Sequence, residues 1–325
     1  MVHYGLGPIG LAVAALVAQR PWLRSVAAVD LSPDLVGRRL GDLSGSAVQG
    51  PVIGPSFAGT PEAAVAVHCT GSSLERVAPQ IIGLASAGLN VISTTEELAF
   101  PWQAHPRAAA EIDTAARGAG VTVLGTGINP GYAMDYLPIA LSAVAQRVDS
   151  VAVHRIQDAA TRRLPLQRKV GAGLSPEAFR EDAAGGRLGH VGLAESAHAL
   201  ARAFGWRLTD VHETIEPITA EKATPVAEGV IQPGQVLGLH QTAEGRVDSQ
   251  AVISLTLDIA IGVGPSRDRV LLMGVPDLEL EIPGGLHGDA ATAAIVSNAI
   301  PRVLAAPPGL RVMAELPPPT PGPLE

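Results

Sequence analysis

Six residues near the N-terminus constrain this chain more than any others. Gly5-Leu6-Gly7-Pro8-Ile9-Gly10 has the spacing G-x-G-x-x-G. It lies between a strand stub, Met1–Tyr4, and an apolar run, Pro8–Arg20, that reads as a deeply buried helix. Asp30 follows Gly10 by twenty residues and closes the next apolar stretch, Ser25–Asp30. A glycine turn from strand into helix, with an acid ending the second strand, is a dinucleotide-binding arrangement. Gly5 permits the tight turn, Gly7 lets a pyrophosphate approach the backbone, and Gly10 lets the helix pack closely on the strand. The helix start at Pro8 and Ile9 turns its free N–H groups toward the phosphates. Asp30 suits the adenine ribose hydroxyls and favours NAD. Arg38 and Arg39 lie on the following segment and have the charge to pair a 2′-phosphate, which admits NADP; a solvated helix face explains them equally. Four residues make a short first strand, so we expect either a natural start further upstream or a clipped strand.

The pattern beyond this motif repeats it. Ala63–Cys69, Asn90–Ser93 and Val121–Leu124 read as strands, and Leu74–Ala87 and Pro106–Gly118 as helices between them. Strands apolar on both faces, alternating with helices, predict an α/β fold with a doubly wound parallel sheet and right-handed crossovers. After Pro130 the texture changes. Val148–Gln157 and segments 206–216, 223–231, 236–243, 249–261 and 269–282 partly alternate, as half-buried antiparallel-type strands do. Pro176–Ala184 and Leu193–Phe204 read as inserted helices, and Asp289–Leu304 as a helix capped by Asp289. The expected organisation is a dinucleotide-binding domain at 1–130, completed by the helix at 289–305, and a substrate and dimerisation domain at 131–288. Seven prolines among the last 19 residues predict an extended tail over 307–325.

Composition narrows the function. Lys and Arg number 23 against 31 Asp and Glu, a formal charge of −8, which argues against a nucleic-acid partner. Cys69 is the only cysteine, so neither a disulfide framework nor a Cys-rich metal site is available. No paired-His or paired-Cys metal spacing and no G-x-S-x-G elbow occurs. Pro79, Gln80 and Asn90 interrupt the long apolar stretch Val77–Thr95, so no membrane span is expected. With no signal-like order at the N-terminus, the expectation is a soluble cytoplasmic protein.

In such sheets ligands bind beyond the carboxyl ends of the strands. Those ends carry Thr70-Gly71-Ser72, Ser93-Thr94-Thr95 and Gly125-Thr126-Gly127, small residues suited to a ribose or to simple turns. Glu96 and Glu97 come next, where a carboxylate can orient or deprotonate an amine. Thr94-x-x-Glu97 is also a capping-box pattern, so Glu97 alternatively ties down a helix start. Asn129, held extended by Pro130, can present its amide to substrate or cofactor, or mark an interdomain hinge. In the second domain Arg155, Gln157, Arg163, Gln167 and Lys169 cluster in sequence. His190, within Gly189–Gly192, and His287 carry near-neutral pKa values useful for substrate contact, or serve as structural hydrogen bonders.

Six segments in order carry a family resemblance: 5–10 (GLGPIG), 93–102 (STTEELAFPW), 125–138 (GTGINPGYAMDYLP), 155–173 (RIQDAATRRLPLQRKVGAG), 186–196 (GRLGHVGLAES) and 284–304 (GGLHGDAATAAIVSNAIPRVL). The chain resembles 2,4-diaminopentanoate dehydrogenase and the native amine dehydrogenases, with an N-terminal domain similar to that of dihydrodipicolinate reductase. The resemblance implies a Rossmann domain, a second domain with an open mixed sheet, a homodimer, and NAD(P)-dependent interconversion of an amine with a ketone or aldehyde plus ammonia. It also implies that a glutamate within 93–102, either Glu96 or Glu97, activates the amine. The paired-histidine and K-x-D-x-P-S-G-T segments of dihydrodipicolinate reductase itself have no counterpart: His154-Arg155 and Asp158-Ala-Ala-Thr161 do not reproduce them. The expected chemistry is ammonia addition to a small carbonyl compound, loss of water, and hydride delivery to the iminium. A diamino acid substrate would need a carboxylate clamp, for which Arg155, Arg163 and Lys169 are candidates. A reductase acting on an oxo group without ammonia, or a cofactor-binding protein with no turnover, also fits these residues.

Overall fold

The computed structural model describes residues 1–59, 62–160, 164–226 and 229–322. Contacts group the chain into two compact units, Met1–Tyr132 with Gly288–Glu325, and Ala133–His287.

The first unit is built on a parallel sheet. Its elements in order are β1 (Val2–Tyr4), α1 (Pro8–Ala18), β2 (Ala27–Val29), α2 (Leu40–Ser44), β3 (Ile53–Gly54), β4 (Val65–His68), α3 (Leu74–Ser86), β5 (Asn90–Ser93), α4 (Pro106–Ala119) and β6 (Thr122–Gly125). The strands lie in the order β6-β5-β4-β1-β2-β3, and strand Gly309–Arg311 adds a seventh beside β6. Every pairing is parallel. All four residues of β4 and of β6 are buried, because helices cover both faces. α3 buries Leu74, Val77, Ala78, Ile81, Leu84 and Ala85, a stripe at three- and four-residue spacing. These pack with Val2, Ala66, Val91, Ile112 and Val123 into the main core. α1 buries Gly10, Val13, Ala14 and Val17 and packs on the long helix Gly288–Ala305, where the Arg20 guanidinium donates to the Ser297 carbonyl (2.9 Å). α2 and β3, five and two residues long, are too short to show a period and have no counterpart in the sequence reading.

The proline-rich terminus differs from its sequence reading. It was expected as an extended tail; instead Gly309–Arg311 joins the sheet, and Leu310, Val312, Met313 and Leu316 are buried. Asp113 accepts from the Leu310 N–H (2.9 Å), and the Thr122 hydroxyl donates to the Pro307 carbonyl (3.0 Å). The prolines flank a short apolar run that an edge position beside β6 can bury.

The second unit contains α5 (Tyr136–Leu141), β7 (Arg147–Asp158), α6 (Leu164–Lys169), α7 (Pro176–Ala184), α8 (Leu193–Phe204), β8 (Asp210–Thr219), β9 (Thr224–Val226), β10 (Gly229–Ile231), β11 (Val236–Val247), β12 (Gln250–Ala260), β13 (Arg267–Val275) and β14 (Leu278–Pro283). Six strands form one sheet in the order β14-β13-β7-β12-β11-β8. The β7–β12 pair is parallel and the others are antiparallel, so the sheet is mixed. Alternation in sequence reports one buried face, not strand direction, which is why it suggested an antiparallel sheet throughout. Segment 269–282 is a hairpin rather than one strand, its turn closed by Asp277 accepting from the Gly274 N–H (2.8 Å). No described helix is long and apolar enough to cross a membrane.

The terminal strand yields a test. Leu310→Ala empties a buried position and is expected to cost about 2–4 kcal/mol, lowering Tm by roughly 5–10 °C in thermal unfolding. An unchanged Tm would show that the terminal strand does not contribute to the sheet.

Candidate functional site

The glycine turn has little room for side chains. Gly5 sits at φ +90°, and a Cβ there would fall 2.5 Å from the Cys69 carbonyl oxygen. A Cβ on Gly10 would strike the Gly5 carbonyl. A Cβ on Gly7 would meet nothing within 4 Å, so its backbone faces open space. α1 begins there, with Pro8 in its first turn and no side chain capping its N-terminus. These first-turn amides, Ile9 and Gly10 among them, are the donors that an anion can take. The residues present therefore fit a dinucleotide pyrophosphate.

Asp30, just past β2, braces this turn. Its Oδ2 accepts from the Leu6 N–H (2.7 Å) and its Oδ1 from the Ser32 N–H (2.8 Å). Arg38 and Arg39 are exposed on the segment bound to β3 through Ile53 N–H to the Arg38 carbonyl (2.9 Å), one strand out from β2. Arg39 also donates to the Gly50 carbonyl (3.3 Å).

The ends of β4, β5 and β6 gather the remaining predicted cofactor residues. Thr70, Gly71 and Ser72 follow β4, and the Thr94 N–H donates back to the His68 carbonyl (3.0 Å). Asn129 is buried, joined to Pro130 by a cis peptide bond. The neighbouring Ile128 N–H donates to Thr292 in the first turns of helix Gly288–Ala305 (3.2 Å). Burial pushes the Cys69 thiol up to about 12, although Thr94 hydrogen-bonds it.

Glu96 and Glu97 open a 3₁₀ turn, Glu96–Leu98, directly after β5. The Glu97 Oε2 accepts from the Leu74 N–H (2.6 Å) and lies 3.0 Å from His105 Nε2. Glu97 does tie down a helix start, as its capping pattern suggested, but the helix is α3 rather than its own turn. Only the sheet order, which sets β4 beside β5, makes that contact available.

In the second unit a row of buried polar groups crosses the covered face of the sheet. Gln241 on β11, Leu257 on β12, Arg155 on β7 and Asp268 on β13 are consecutive partners in register. The Arg155 Nε lies 3.0 Å from Asp268 Oδ1, and both side chains are at most 3% exposed. Arg155 also donates to the Leu286 carbonyl (3.0 Å), whose own N–H donates to Asp268 Oδ2 (2.7 Å). Burial raises the Asp268 pKa, against the pull of Arg155 and the Leu286 amide. Gln157, two residues on from Arg155, brings its buried Nε2 against Gly285; among the described residues it has no acceptor. His287 adjoins this loop. His190 stands at the other end of the row, its N–H and carbonyl both bonded to the Gln241 carboxamide (2.8 Å each). Glu213 accepts from Gln241 (3.2 Å), and burial raises its pKa.

The structure thus sets Gln157 and His287 beside Arg155 and places His190 at Gln241. Arg163 lies outside the described residues. Lys169 is exposed, and Gln167 is buried with its amide on the Ala159 carbonyl (3.0 Å). Arg155, a candidate carboxylate clamp, already faces the carboxylate of Asp268. A cavity of about 230 Å³ opens beside α6, lined by Gln167, Arg168, Val226, Ile231 and Gln235; Gln157, His190 and His287 are not among the described residues lining it. Sequence reasoning missed Asp268, Gln241 and Glu213, because only cross-strand register brings them to the row. Elsewhere on the sheet His154 and His240 both bond Asp258 (2.6 Å each). Burial pushes the Asp258 carboxyl up, and the two histidine bonds outweigh it and hold it low. No metal-type cluster of His, Cys, Asp or Glu occurs among the described residues.

Comparison with known proteins agrees with this architecture. Residues 132–321 match the model of the 2,4-diaminopentanoate dehydrogenase C-terminal domain. The chain is 33% identical over 267 residues to a 2,4-diaminopentanoate dehydrogenase from Acetoanaerobium sticklandii, covering 78% of this chain and 74% of that protein. Among solved structures, an amine dehydrogenase from Mycobacterium smegmatis superimposes with a TM-score of 0.85 at 25% identity, over 98% of this chain and 96% of that one. A probable dehydrogenase from Thermotoga maritima shares the fold, with a TM-score of 0.57 at 13% identity over 97% of this chain and 91% of that one. The chain belongs to the 2,4-diaminopentanoate dehydrogenase family.

Proposed function

We propose that this protein is an NAD(P)-dependent amine dehydrogenase, an oxidoreductase acting on CH–NH2 donors, that interconverts a small amine with a ketone or aldehyde plus ammonia. Its membership of a dehydrogenase family and its likeness to an amine dehydrogenase support the class. The observation that carries the reading is the position of Glu96. It opens the turn at the carboxyl end of β5, in the same parallel sheet whose β1 leads into the glycine turn. We assign the catalytic carboxylate to Glu96, the first residue of that turn.

In this reading Gly5, Gly7, Pro8, Ile9 and Gly10 form the pyrophosphate cradle and Asp30 meets the adenine ribose. Arg38 would pair a 2′-phosphate, and Thr70, Gly71, Ser72, Thr94 and Asn129 would hold the nicotinamide end. When bound, the nicotinamide supplies hydride exchange. The Glu96 carboxylate holds the amine and, kept ionised, stabilises the iminium cation, an effect that grows as water is excluded. Gln157, His190 and His287 are assigned to substrate recognition. A diamino acid is the second reading for the substrate: the family relative is named for 2,4-diaminopentanoate. We further propose a cytoplasmic homodimer.

Three measurements check this. Oxidation of NADH and NADPH with small ketones and aldehydes should require ammonium; equal rates without it would make the protein a carbonyl reductase and remove the role of Glu96. Glu96→Gln is expected to lower kcat by about 10²-fold or more. Glu97→Gln, which keeps an acceptor for Leu74, should stay within about threefold of wild type; the reverse pattern would move the carboxylate to Glu97. Asp30→Asn removes a negative charge beside the ribose, and the ratio of kcat/KM for NADPH over NADH should rise about tenfold; an unchanged ratio would mean that Asp30 serves only to brace the glycine turn.

A further inference from the structure

We infer that His68 is a positioning residue for this reaction, locking the end of β5 and the turn that carries Glu96 to the loop after β4. The inference rests on the assignment of Glu96 above. His68 is the last residue of β4, fully buried and stacked on the Tyr4 ring at 5.7 Å between centroids. Its Nδ1 lies 2.9 Å from the Ser93 hydroxyl at the end of β5. Ser93 donates to the Thr95 hydroxyl (2.9 Å) and accepts from the Thr95 N–H (3.1 Å). Thr95 donates to the Gly71 carbonyl (2.8 Å). On its other side, His68 Nε2 lies 2.9 Å from the Thr70 hydroxyl and 2.8 Å from the Gln80 carboxamide of α3.

The protons in this chain run one way. A carbonyl can only accept, so Gly71 takes the Thr95 hydroxyl proton. Thr95 must then accept from Ser93, whose single proton is thereby committed. Ser93 then accepts from the His68 Nδ1–H; with Nε2 as the ring acceptor, the Thr70 hydroxyl donates to it and Gln80 turns its amide nitrogen, not its oxygen, toward this cluster. Burial lowers the ring pKa and keeps it neutral. The result ties Thr70 and Gly71, after β4, to Thr95, the residue immediately before Glu96. β4 is otherwise Val65, Ala66 and Val67, and an apolar residue at 68 would fill the core without desolvating an imidazole. What the histidine adds is a fixed geometry between two loops, and networks of this kind set conformation when every member is satisfied.

Two amide replacements separate geometry from packing. In His68→Asn the side-chain nitrogen takes the place of Nδ1 and keeps the bond to Ser93. In His68→Gln the nitrogen takes the place of Nε2 and the Ser93 bond is lost. Both variants, Ser93→Ala and Glu96→Gln would be assayed in the full-length protein for kcat, KM, NADH affinity and Tm. We expect His68→Asn to stay within about threefold of wild type in kcat. His68→Gln and Ser93→Ala should each lose about tenfold in kcat, with KM and NADH affinity changed less than about threefold. Their combination should lose no more than either alone, because both cut the same bond. If Glu96→Gln is impaired while His68→Gln turns over normally, the positioning role is overturned and the Glu96 assignment stands. Parallel losses in His68→Asn and His68→Gln that track Tm would also overturn it, leaving a structural histidine. If Glu96→Gln keeps wild-type turnover, the assignment fails and this inference with it.

Discussion

The first unit depends on one close approach, the α-carbon of Gly10 against the carbonyl of Gly5. A side chain at position 10 would force α1 away from the turn, and with it the helix N-terminus that faces the open space at Gly7. Asp30 secures the same turn from the second strand by accepting the Leu6 amide. One acid thus joins β2 to the loop after β1. The long helix near the C-terminus packs on α1 and hydrogen-bonds the 125–131 segment through Thr292, so residues far apart in sequence hold one sheet edge.

The second unit solves a different problem. A sheet face covered by helices is normally apolar, yet this one carries Arg155, Asp268, Gln241 and Gln157. A buried ion pair recovers its desolvation only with good geometry and with its remaining bonding capacity used. Arg155 and Asp268 are both tied to the backbone of Leu286, which accepts from one and donates to the other. The row therefore fixes the Gly284–His287 loop to the sheet and holds the residues that we assign to the substrate. Oil-like residues of equal volume would serve stability at least as well, so specificity is the better account of the row.

Much of the fold was legible because its signals are local. The glycine spacing, the apolar strands and the helix starts at Pro106, Pro176 and Leu193 each follow from a few neighbouring residues. Short elements were not legible: α2 and β3 lack a period, and the strand at Gly309 was hidden among prolines. The hairpin within 269–282 was masked because alternation continues through its turn. At the site, Gly5, Gly10 and Asp30 could be placed from spacing alone. The place of Glu97 could not, because it depends on which backbone amide its carboxylate reaches.

By itself, the sequence determined that a parallel sheet would open on a dinucleotide turn, that a single cysteine allows no disulfide framework or Cys-rich metal site, and which family the six ordered segments resemble. These follow from residue type and spacing, which act over one turn or one strand. Tertiary structure alone decided that Glu97 caps α3, that Asp268 faces Arg155, and that His68, Ser93, Thr95 and Gly71 form one chain of protons. Each of these is a contact between strands or loops brought side by side by sheet order and register, quantities set by the packing of the whole unit.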